Sequence, residues 1–236
     1  VVDRVRIRVL GDGDDAAHGA APADVVVEGF GCGLPGRYLD AMERAQPVWI
    51  NLEYLSAEPW VDGAHGLPSP QPSRPLTRWF FFPGFTAATG GLLRESGLLA
   101  QRAAFLTERR DNALAVSLYC YENDALPALL DAWAAGAKPV RVEVPEGVAP
   151  RAFARWLGAP LPAPPARIER GSLAVDVRPF VPQHAYDRRL WASDLNFVRG
   201  EDSFVRAQWA QKPFVWHIYP QPGDAHRTKL AAFCSR

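Results

Sequence analysis

Residues 194–208 combine a strand end, a glycine turn and a helix start in an order that suits phosphate binding. An apolar strand leads into Arg199, and after the glycine Glu201, Asp202 and Ser203 begin a predicted helix. The free N–H groups in the first turn of a helix carry partial positive charge, and an arginine adds a charge-assisted hydrogen bond. The segment therefore predicts a phosphate or pyrophosphate site. Because Glu201 would repel a phosphate at close range, it fits only if it faces ribose or sugar hydroxyls.

A purely structural role for the same residues stays open at this point. Asp202 and Ser203 are residue types that cap helices. Arg199 and Glu201 carry opposite charges two positions apart and could pair with each other. In that case the four side chains stabilise a helix start and bind no ligand.

The ends of two other predicted strands offer groups that suit a nucleobase. Two prolines near Phe180 fix an extended turn that presents its ring for stacking, and Gln183 supplies an amide donor and acceptor. Tyr119 and Tyr121 face the same side if the strand before them continues. The alternatives are a Phe180 buried at its strand end and two tyrosines packed in the core.

Other chemistry has little support in the sequence. The five histidines show no HExxH or similar spacing, so we expect no metal site. GxSxG, GxxxxGKS/T and strand-linked GxGxxG motifs are missing, which disfavours hydrolase, kinase-like and NAD-dependent functions. Cys32, Cys120 and Cys234 are odd in number and far apart, a pattern typical of a reducing cytoplasm.

Composition excludes further classes of protein. The 236 residues carry 26 Lys and Arg against 26 Asp and Glu, and 48% are hydrophobic. This balance is typical of a globular protein and argues against a generally basic binder of nucleic acid or membrane surfaces. No apolar run approaches the roughly 20 residues that a membrane-spanning helix requires. At about 150 residues per domain, the length predicts one or two domains.

The elements that must position these residues follow from hydrophobic periodicity. Short apolar runs predict buried parallel strands, covered on both faces, at Val25–Val27, Val48–Ile50 and Phe80–Phe82, with a helix at Tyr38–Ala45. A domain boundary is expected within Ser96–Asp111.

Beyond residue 112 strands and helices alternate regularly. The predicted strands are Ala113–Tyr119, Val140–Val144, Ala174–Val177, Leu195–Val198 and Phe214–Ile218, and the predicted helices are Ala125–Ala135, Pro150–Leu157, 184–192, 203–210 and 225–233. Five strands separated by helices predict a doubly wound α/β domain with its ligand site at the carboxyl ends of the strands.

Several long blocks of the sequence resemble, in the right order, the elongation factor P arginine rhamnosyltransferase family (EarP). These blocks are Asn51–Glu58 with His65–Pro70, Phe80–Thr86 with Gly90–Glu95, Pro179–Gln183, Arg199–Gln208, Pro213–Gln221 and Asp224–His226. The resemblance covers about residues 24–233 and is highly specific.

The resemblance implies an α/β fold of the GT-B glycosyltransferase class, with two Rossmann-like domains facing each other across a cleft. Residues 1–100 would be an incomplete N-terminal Rossmann-like domain that binds the acceptor, and residues 101–236 a C-terminal Rossmann-like domain that binds the nucleotide sugar. The implied reaction transfers rhamnose from dTDP-β-L-rhamnose to one arginine of bacterial elongation factor P, with inversion. It implies no metal, no cofactor, no nucleic-acid or membrane partner, and a cytoplasmic location.

The resemblance also assigns residues to the donor. The implied donor-binding residues are Tyr119, Tyr121, Phe180, Gln183, Arg199, Glu201, Asp202 and Ser203. The last four would hold the diphosphate and ribose end, Phe180 and Gln183 the thymine, and the two tyrosines would lie beside the nucleotide or the sugar. Glu201 is the implied catalytic residue because it matches a residue needed for activity.

The sequence departs from the family's pattern at its start. The family begins with a strand and a loop rich in Gly and Asp that carries the proposed general base, and nothing in Val1–Ala23 matches it; Gly11–Asp15 lacks the context. Since a guanidinium is protonated and its lone pairs are delocalised, the reaction needs such a carboxylate. We therefore expect a fragment that lacks the N-terminal βα units and the C-terminal end and turns over poorly alone. A second hypothesis is a non-catalytic α/β module that binds a nucleotide or the elongation factor.

Overall fold

The chain folds into two compact units. A computed structural model describes residues 21–105 and 112–236. The first unit extends to Leu92 and includes Ala231–Arg236, and the second comprises Leu93–Leu230. The predicted turn at Gly11–Asp15 and part of the predicted boundary segment lie outside the described residues. The predicted domain ranges 1–100 and 101–236 stay a prediction.

The first unit is built around a largely parallel sheet. Its described strands are β1 (Val25–Gly29), β2 (Val48–Leu52), β3 (Pro68–Pro70) and β4 (Thr77–Phe81), and its helices are α1 (Gly36–Ala45) and α2 (Val61–Ala64). The strand order is β1-β2-β4-β3, and only β3, at the edge, is antiparallel among these described strands. Two prolines in β3 suit this place, because a proline cannot donate to a neighbouring strand.

Side chains in this sheet alternate between core and surface. Val26 of β1 and Trp49 of β2 pack with Met42 of α1 in a buried cluster. The side chains of Val25 and Val27 are 51% and 59% exposed. The prediction of strands covered on both faces is therefore wrong for β1. Its β-branched residues favour a strand regardless of burial, so an apolar run does not show that both faces are covered.

The second unit contains a six-stranded sheet in its described part. The strands are β5 (Leu114–Leu118), β6 (Val140–Pro145), β7 (Ala166–Arg170), β8 (Leu173–Arg178), β9 (Leu195–Arg199) and β10 (Phe214–His217). The helices are α3 (Leu98–Ala104), α4 (Leu126–Ala135), α5 (Pro150–Leu157), α6 (Gln183–Ala192), α7 (Asp202–Ala210) and α8 (Ala225–Cys234), the last of which begins in this unit. The five predicted strands and their helices are confirmed, whereas β7 and α3 were not predicted.

The strand order of this sheet creates a crevice. The order is β10-β9-β5-β6-β8-β7, and every described pair except β7–β8 is parallel. From β5 the chain proceeds to β6 and β8 on one side and later returns to β9 and β10 on the other. The carboxyl ends of β5 and β9 thus lie at a topological switch point, where open α/β sheets bind ligands. Tyr119 follows β5, and Arg199 ends β9.

A contiguous core beneath the sheet fixes these strand ends. Fully buried side chains from β5, β6 and β8 pack against α4 and α5; they include Val116, Leu118, Leu130, Val142, Phe153 and Val175. In the described part of the chain, no helix is long and apolar enough to cross a membrane. Within the same residues no three His, Cys, Asp or Glu side chains are grouped so that they could hold a metal ion.

Candidate nucleotide-binding site

A cavity of about 480 Å³ lies at the carboxyl edge of the second unit's sheet. Small-molecule sites commonly have this size. All eight donor-binding residues predicted from the sequence line it: Tyr119, Tyr121, Phe180, Gln183, Arg199, Glu201, Asp202 and Ser203. Their individual roles stay predictions. The lining also contains residues that were not predicted, namely Pro145, Val181, Tyr186, Arg189 and Gly200.

Arg199 is held at the switch point by the residues that follow β5. Its guanidinium donates to the Tyr119 hydroxyl at 3.0 Å and to the Cys120 carbonyl at 3.3 Å. Its Cζ lies 4.2 Å from the centroid of the Tyr119 ring and 4.8 Å from that of the Tyr121 ring. A guanidinium has five N–H donors, so two fixed contacts position the cation and leave capacity for an anionic ligand.

The start of α7 differs from the expected capping. Glu201 occupies the N-cap position, and its side chain makes no capping hydrogen bond. The Ser203 hydroxyl accepts from the Arg199 N–H at 3.0 Å and donates to the Arg199 carbonyl. The alternative in which Asp202 and Ser203 serve as helix caps is therefore wrong. The N–H groups at a helix start are suited to a phosphate.

Gln183 at the start of α6 contacts α7, and Phe180 contacts Tyr119, which follows β5. The Gln183 amide donates to the Asp202 carboxylate. The Phe180 ring is 57% exposed and meets Tyr119 edge-on, with centroids 6.3 Å apart. The alternative of a buried Phe180 is therefore wrong. An exposed ring beside an amide is suited to stacking on a flat base and bonding to its edge.

Two phenols and one imidazole near Arg199 are uncharged at neutral pH. Burial raises the pKa of the Tyr121 phenol, opposed by the positive charge of Arg199. Burial also raises the pKa of Tyr186. Burial and then the charge of Arg199 lower the pKa of His217, whose Nδ1 accepts from the Tyr121 N–H at 3.3 Å. At neutral pH the phenols therefore add no negative charge and the imidazole adds no positive charge.

Sequence reasoning missed Tyr186, Arg189, His217 and Tyr219. Tyr186 and Arg189 line the cavity, and both follow Gln183 at intervals of three along α6, which places them on one helix face. That spacing is a signal that could have found them. Arg189 also forms an ion pair with Glu143 at 2.9 Å. His217 and Tyr219 pack against the Tyr121 ring, with centroids 5.3 Å and 5.4 Å away.

Replacing Gly200 with alanine should weaken nucleotide binding. Gly200 has φ 64°, and a Cβ there would lie 3.2 Å from the Tyr121 hydroxyl. The left-handed backbone costs about 1–2 kcal/mol, and the crowding displaces a ring that contacts Arg199. We expect dTDP affinity, measured by calorimetric titration, to fall about tenfold.

Gly158 is the matched control for this change. It has φ 75°, and no atom lies within 4 Å of the Cβ that alanine would add. Gly158→Ala should lower stability to a similar extent and leave dTDP affinity unchanged. Equal affinity of the two variants would contradict the placement of Gly200 at the nucleotide.

The second unit has a Rossmann-like sheet with a cavity at its switch point. Comparison with known proteins identifies the family of the chain. Residues 1–236 match the family described as Elongation-Factor P (EF-P) rhamnosyltransferase EarP. A protein-arginine rhamnosyltransferase of Pseudomonas putida is 52% identical over 230 residues, which cover 90% of this chain and 60% of that protein. One of Pseudomonas aeruginosa is 47% identical over 229 residues, covering 90% and 61%. The chain belongs to the EarP family. It spans about three fifths of the length of these relatives.

A solved structure supports the same assignment. It is described as the structural basis for EarP-mediated arginine glycosylation of translation elongation factor EF-P. The two chains are 44% identical, and they superpose with a TM-score of 0.58 over 66% of this chain and 53% of the other. The α/β fold of the GT-B class that the sequence predicted is confirmed by this similarity.

Proposed function

We propose that this protein transfers rhamnose from dTDP-β-L-rhamnose to an arginine of elongation factor P, with inversion and with neither metal nor cofactor. The observation that carries the proposal is the convergence of eight predicted donor-binding residues on one cavity at the switch point of a Rossmann-like sheet. The names of the relatives support the acceptor and the sugar. We further propose that it acts in the cytoplasm and has no nucleic-acid or membrane partner.

Different residues of the cavity would contact the base, the diphosphate and the sugar of the donor. Phe180 stacks on thymine and Gln183 bonds to the edge of the base. Arg199 and the start of α7 hold the diphosphate. Glu201, at the N-cap of α7, faces hydroxyl groups of the ribose or the rhamnose, where a carboxylate accepts hydrogen bonds without opposing a phosphate charge.

Arg199 also supplies a positive charge next to the leaving diphosphate. A guanidinium nitrogen of the acceptor attacks C1 of rhamnose on the face opposite the diphosphate, so a C–N bond forms as the C–O bond breaks and the configuration inverts. The electron pair of the broken bond goes to dTDP, and a fixed cation stabilises this developing charge. The acceptor nitrogen loses a proton to a carboxylate base, for which this sequence offers no match to the family's loop.

Rhamnose transfer can be measured by the mass of elongation factor P. After incubation with dTDP-rhamnose, the factor should slowly gain one deoxyhexose on one arginine, because this sequence offers no match to the family's loop with the general base. Glu201→Gln should lower the rate about 100-fold, since single groups that stabilise a transition state are worth roughly this much. Because glutamine keeps an oxygen that can accept from a sugar hydroxyl, dTDP affinity should fall far less than the rate.

Glu169→Gln is the matched control for Glu201→Gln. Glu169 lies on β7, and its exposed side chain pairs with Arg167. Its removal should leave the transfer rate unchanged. Saturable dTDP binding without any mass gain would instead favour the non-catalytic binding module, and unchanged transfer by Glu201→Gln would contradict the role of Glu201.

A further inference from the structure

Two exposed aromatic rings stack on each other at the carboxyl edge of the first unit's sheet. Phe30 follows β1 directly, and Tyr54 lies two residues after β2. Their ring centroids are 4.2 Å apart with an interplanar angle of 16°. The two residues are 50% and 51% exposed. Rings this exposed add little to a core, and this edge of a parallel sheet is where ligands bind.

The backbone at Phe30 is strained and is held in place by buried polar groups. Phe30 has φ 58°, a conformation that a bulky residue rarely adopts. The Gly31 N–H donates to Asn51 Oδ1 at 2.9 Å, and the Gly33 N–H donates to Glu28 Oε1 at 2.8 Å. Asn51 and Glu28 are 0% and 1% exposed. Strain that buried side chains maintain is typical of functional positions.

The same buried amide also fixes the carboxylate of Glu53, the residue before Tyr54. The Asn51 Nδ2 donates to Glu53 Oε1 at 2.5 Å. Asn51 therefore connects the backbone next to Phe30 with the side chain next to Tyr54. The result is an exposed pair of stacked rings and an anionic group, Glu53, that share Asn51 as their anchor at the ends of β1 and β2.

This combination selects a planar cation. The faces of aromatic rings attract cations, and a guanidinium stacks on them while pairing with a carboxylate. A phosphate would be repelled by Glu53, and a purely apolar ligand would gain nothing from a carboxylate. We propose that Phe30, Tyr54 and Glu53 form a binding site for an arginine side chain of the protein acceptor. The identity of that acceptor rests on the proposed function.

A small probe tests the site without requiring turnover. Nα-acetyl-arginine methylamide is titrated into the protein and followed by NMR, alongside the citrulline analogue, which has the same planar shape without the charge. The arginine probe should bind saturably and at least about fivefold more tightly than the citrulline probe. Equal binding of the two probes would overturn the proposal.

Variants of the two side chains sharpen the test. Tyr54→Leu should weaken the arginine probe about fivefold, whereas Tyr54→Phe keeps the ring and should bind as the wild type does. Glu53→Gln should weaken the arginine probe and leave the citrulline probe unchanged. Trp79→Leu removes another exposed ring of the same unit, 43% exposed, and should change nothing. Unaltered binding by both Tyr54→Leu and Glu53→Gln would refute the site.

The experiment separates this proposal from the proposed function. Rhamnose transfer to elongation factor P without binding of the arginine probe would leave the function standing and remove the site. Binding of the arginine probe without rhamnose transfer would support the site and contradict the proposed function. If Tyr54→Leu fails to fold, judged by its circular dichroism, then Tyr54→Phe, Glu53→Gln and the citrulline comparison still decide the outcome. Titration of each variant with dTDP should give the wild-type affinity, because the nucleotide site lies in the second unit.

Discussion

Arg199→Ala should weaken dTDP binding by about two orders of magnitude. Truncating one member of a desolvated charge pair typically costs 2–5 kcal/mol, and each 1.4 kcal/mol corresponds to a factor of ten. Arg199 is positioned at the switch point by the Tyr119 hydroxyl and the Cys120 carbonyl, so its charge is already in place before the diphosphate arrives. The affinity is measured by calorimetric titration at constant salt.

Arg199→Lys should be an intermediate variant. A lysine keeps the charge but loses the planar fork that donates to Tyr119 and Cys120 while lying over two rings. We expect about a tenfold loss, with a steeper dependence on salt because the ammonium is held less firmly. Arg155→Ala is the control for charge alone, since Arg155 is an exposed arginine of the same unit that pairs with Asp124. Wild-type affinity in Arg199→Ala would contradict the diphosphate site.

The second half of the fold could be predicted because local and global signals agree there. Helix α5 begins and ends where the sequence predicted, at Pro150 and Leu157. A proline suits the first helical position, and Gly158 adopts the left-handed conformation that ends many helices. The regular alternation of strands and helices then fixes a parallel sheet with its strand ends on one edge.

Strand β7 was missed because its signals are weak. It reads Ala-Arg-Ile-Glu-Arg, with three of five residues charged, and it pairs antiparallel with β8 across a two-residue turn at Gly171 and Ser172. It lies at the edge of the sheet, where charged side chains face water. Strand β7 is stabilised mainly by its pairing with β8. Its own sequence therefore predicts it poorly.

In the candidate site, too, residues whose positions follow from local sequence were predicted, whereas contacts between distant residues were not. The residues at strand ends were found because carboxyl ends of parallel strands converge at one edge. The capping roles of Asp202 and Ser203 were wrong because Asp202 instead accepts from Gln183, which is 19 positions away in the sequence. Tyr186 and Arg189 lie inside α6, and only their spacing of three and six positions from Gln183 indicates that they face the same cavity.

Arg206→Met should strongly destabilise the second unit and should also release Asp202, whose carboxylate lies 3.4 Å from Arg206 Nε. The Arg206 guanidinium on α7 donates to both carboxylate oxygens of Asp187 on α6, at 2.9 Å and 2.8 Å, and it pairs with Glu95 at 2.5 Å. Arg206 and Asp187 are 8% and 4% exposed. Removing one member of a buried pair leaves an uncompensated charge and costs about 3–5 kcal/mol. The free energy of unfolding is measured by urea denaturation.

The pH dependence of that loss identifies its cause. Burial raises the pKa of Asp187 above its ordinary value of 3.8, and the attraction of Arg206 opposes the rise. A carboxyl whose folded pKa is raised contributes most to stability below its unfolded pKa, and this contribution is lost as pH rises through the folded pKa. In Arg206→Met the pKa of Asp187 rises further, so protonation should neutralise the buried charge and the deficit should shrink as pH falls from about 7 to about 5. The double variant Asp187→Asn, Arg206→Met removes the buried carboxylate and leaves only Glu95 and Asp202, both largely exposed, beside this position. Its deficit should be smaller at pH 7 and should change much less over the same range. A deficit in Arg206→Met that does not change with pH would show that lost packing, rather than an unpaired buried carboxylate, destabilises the unit.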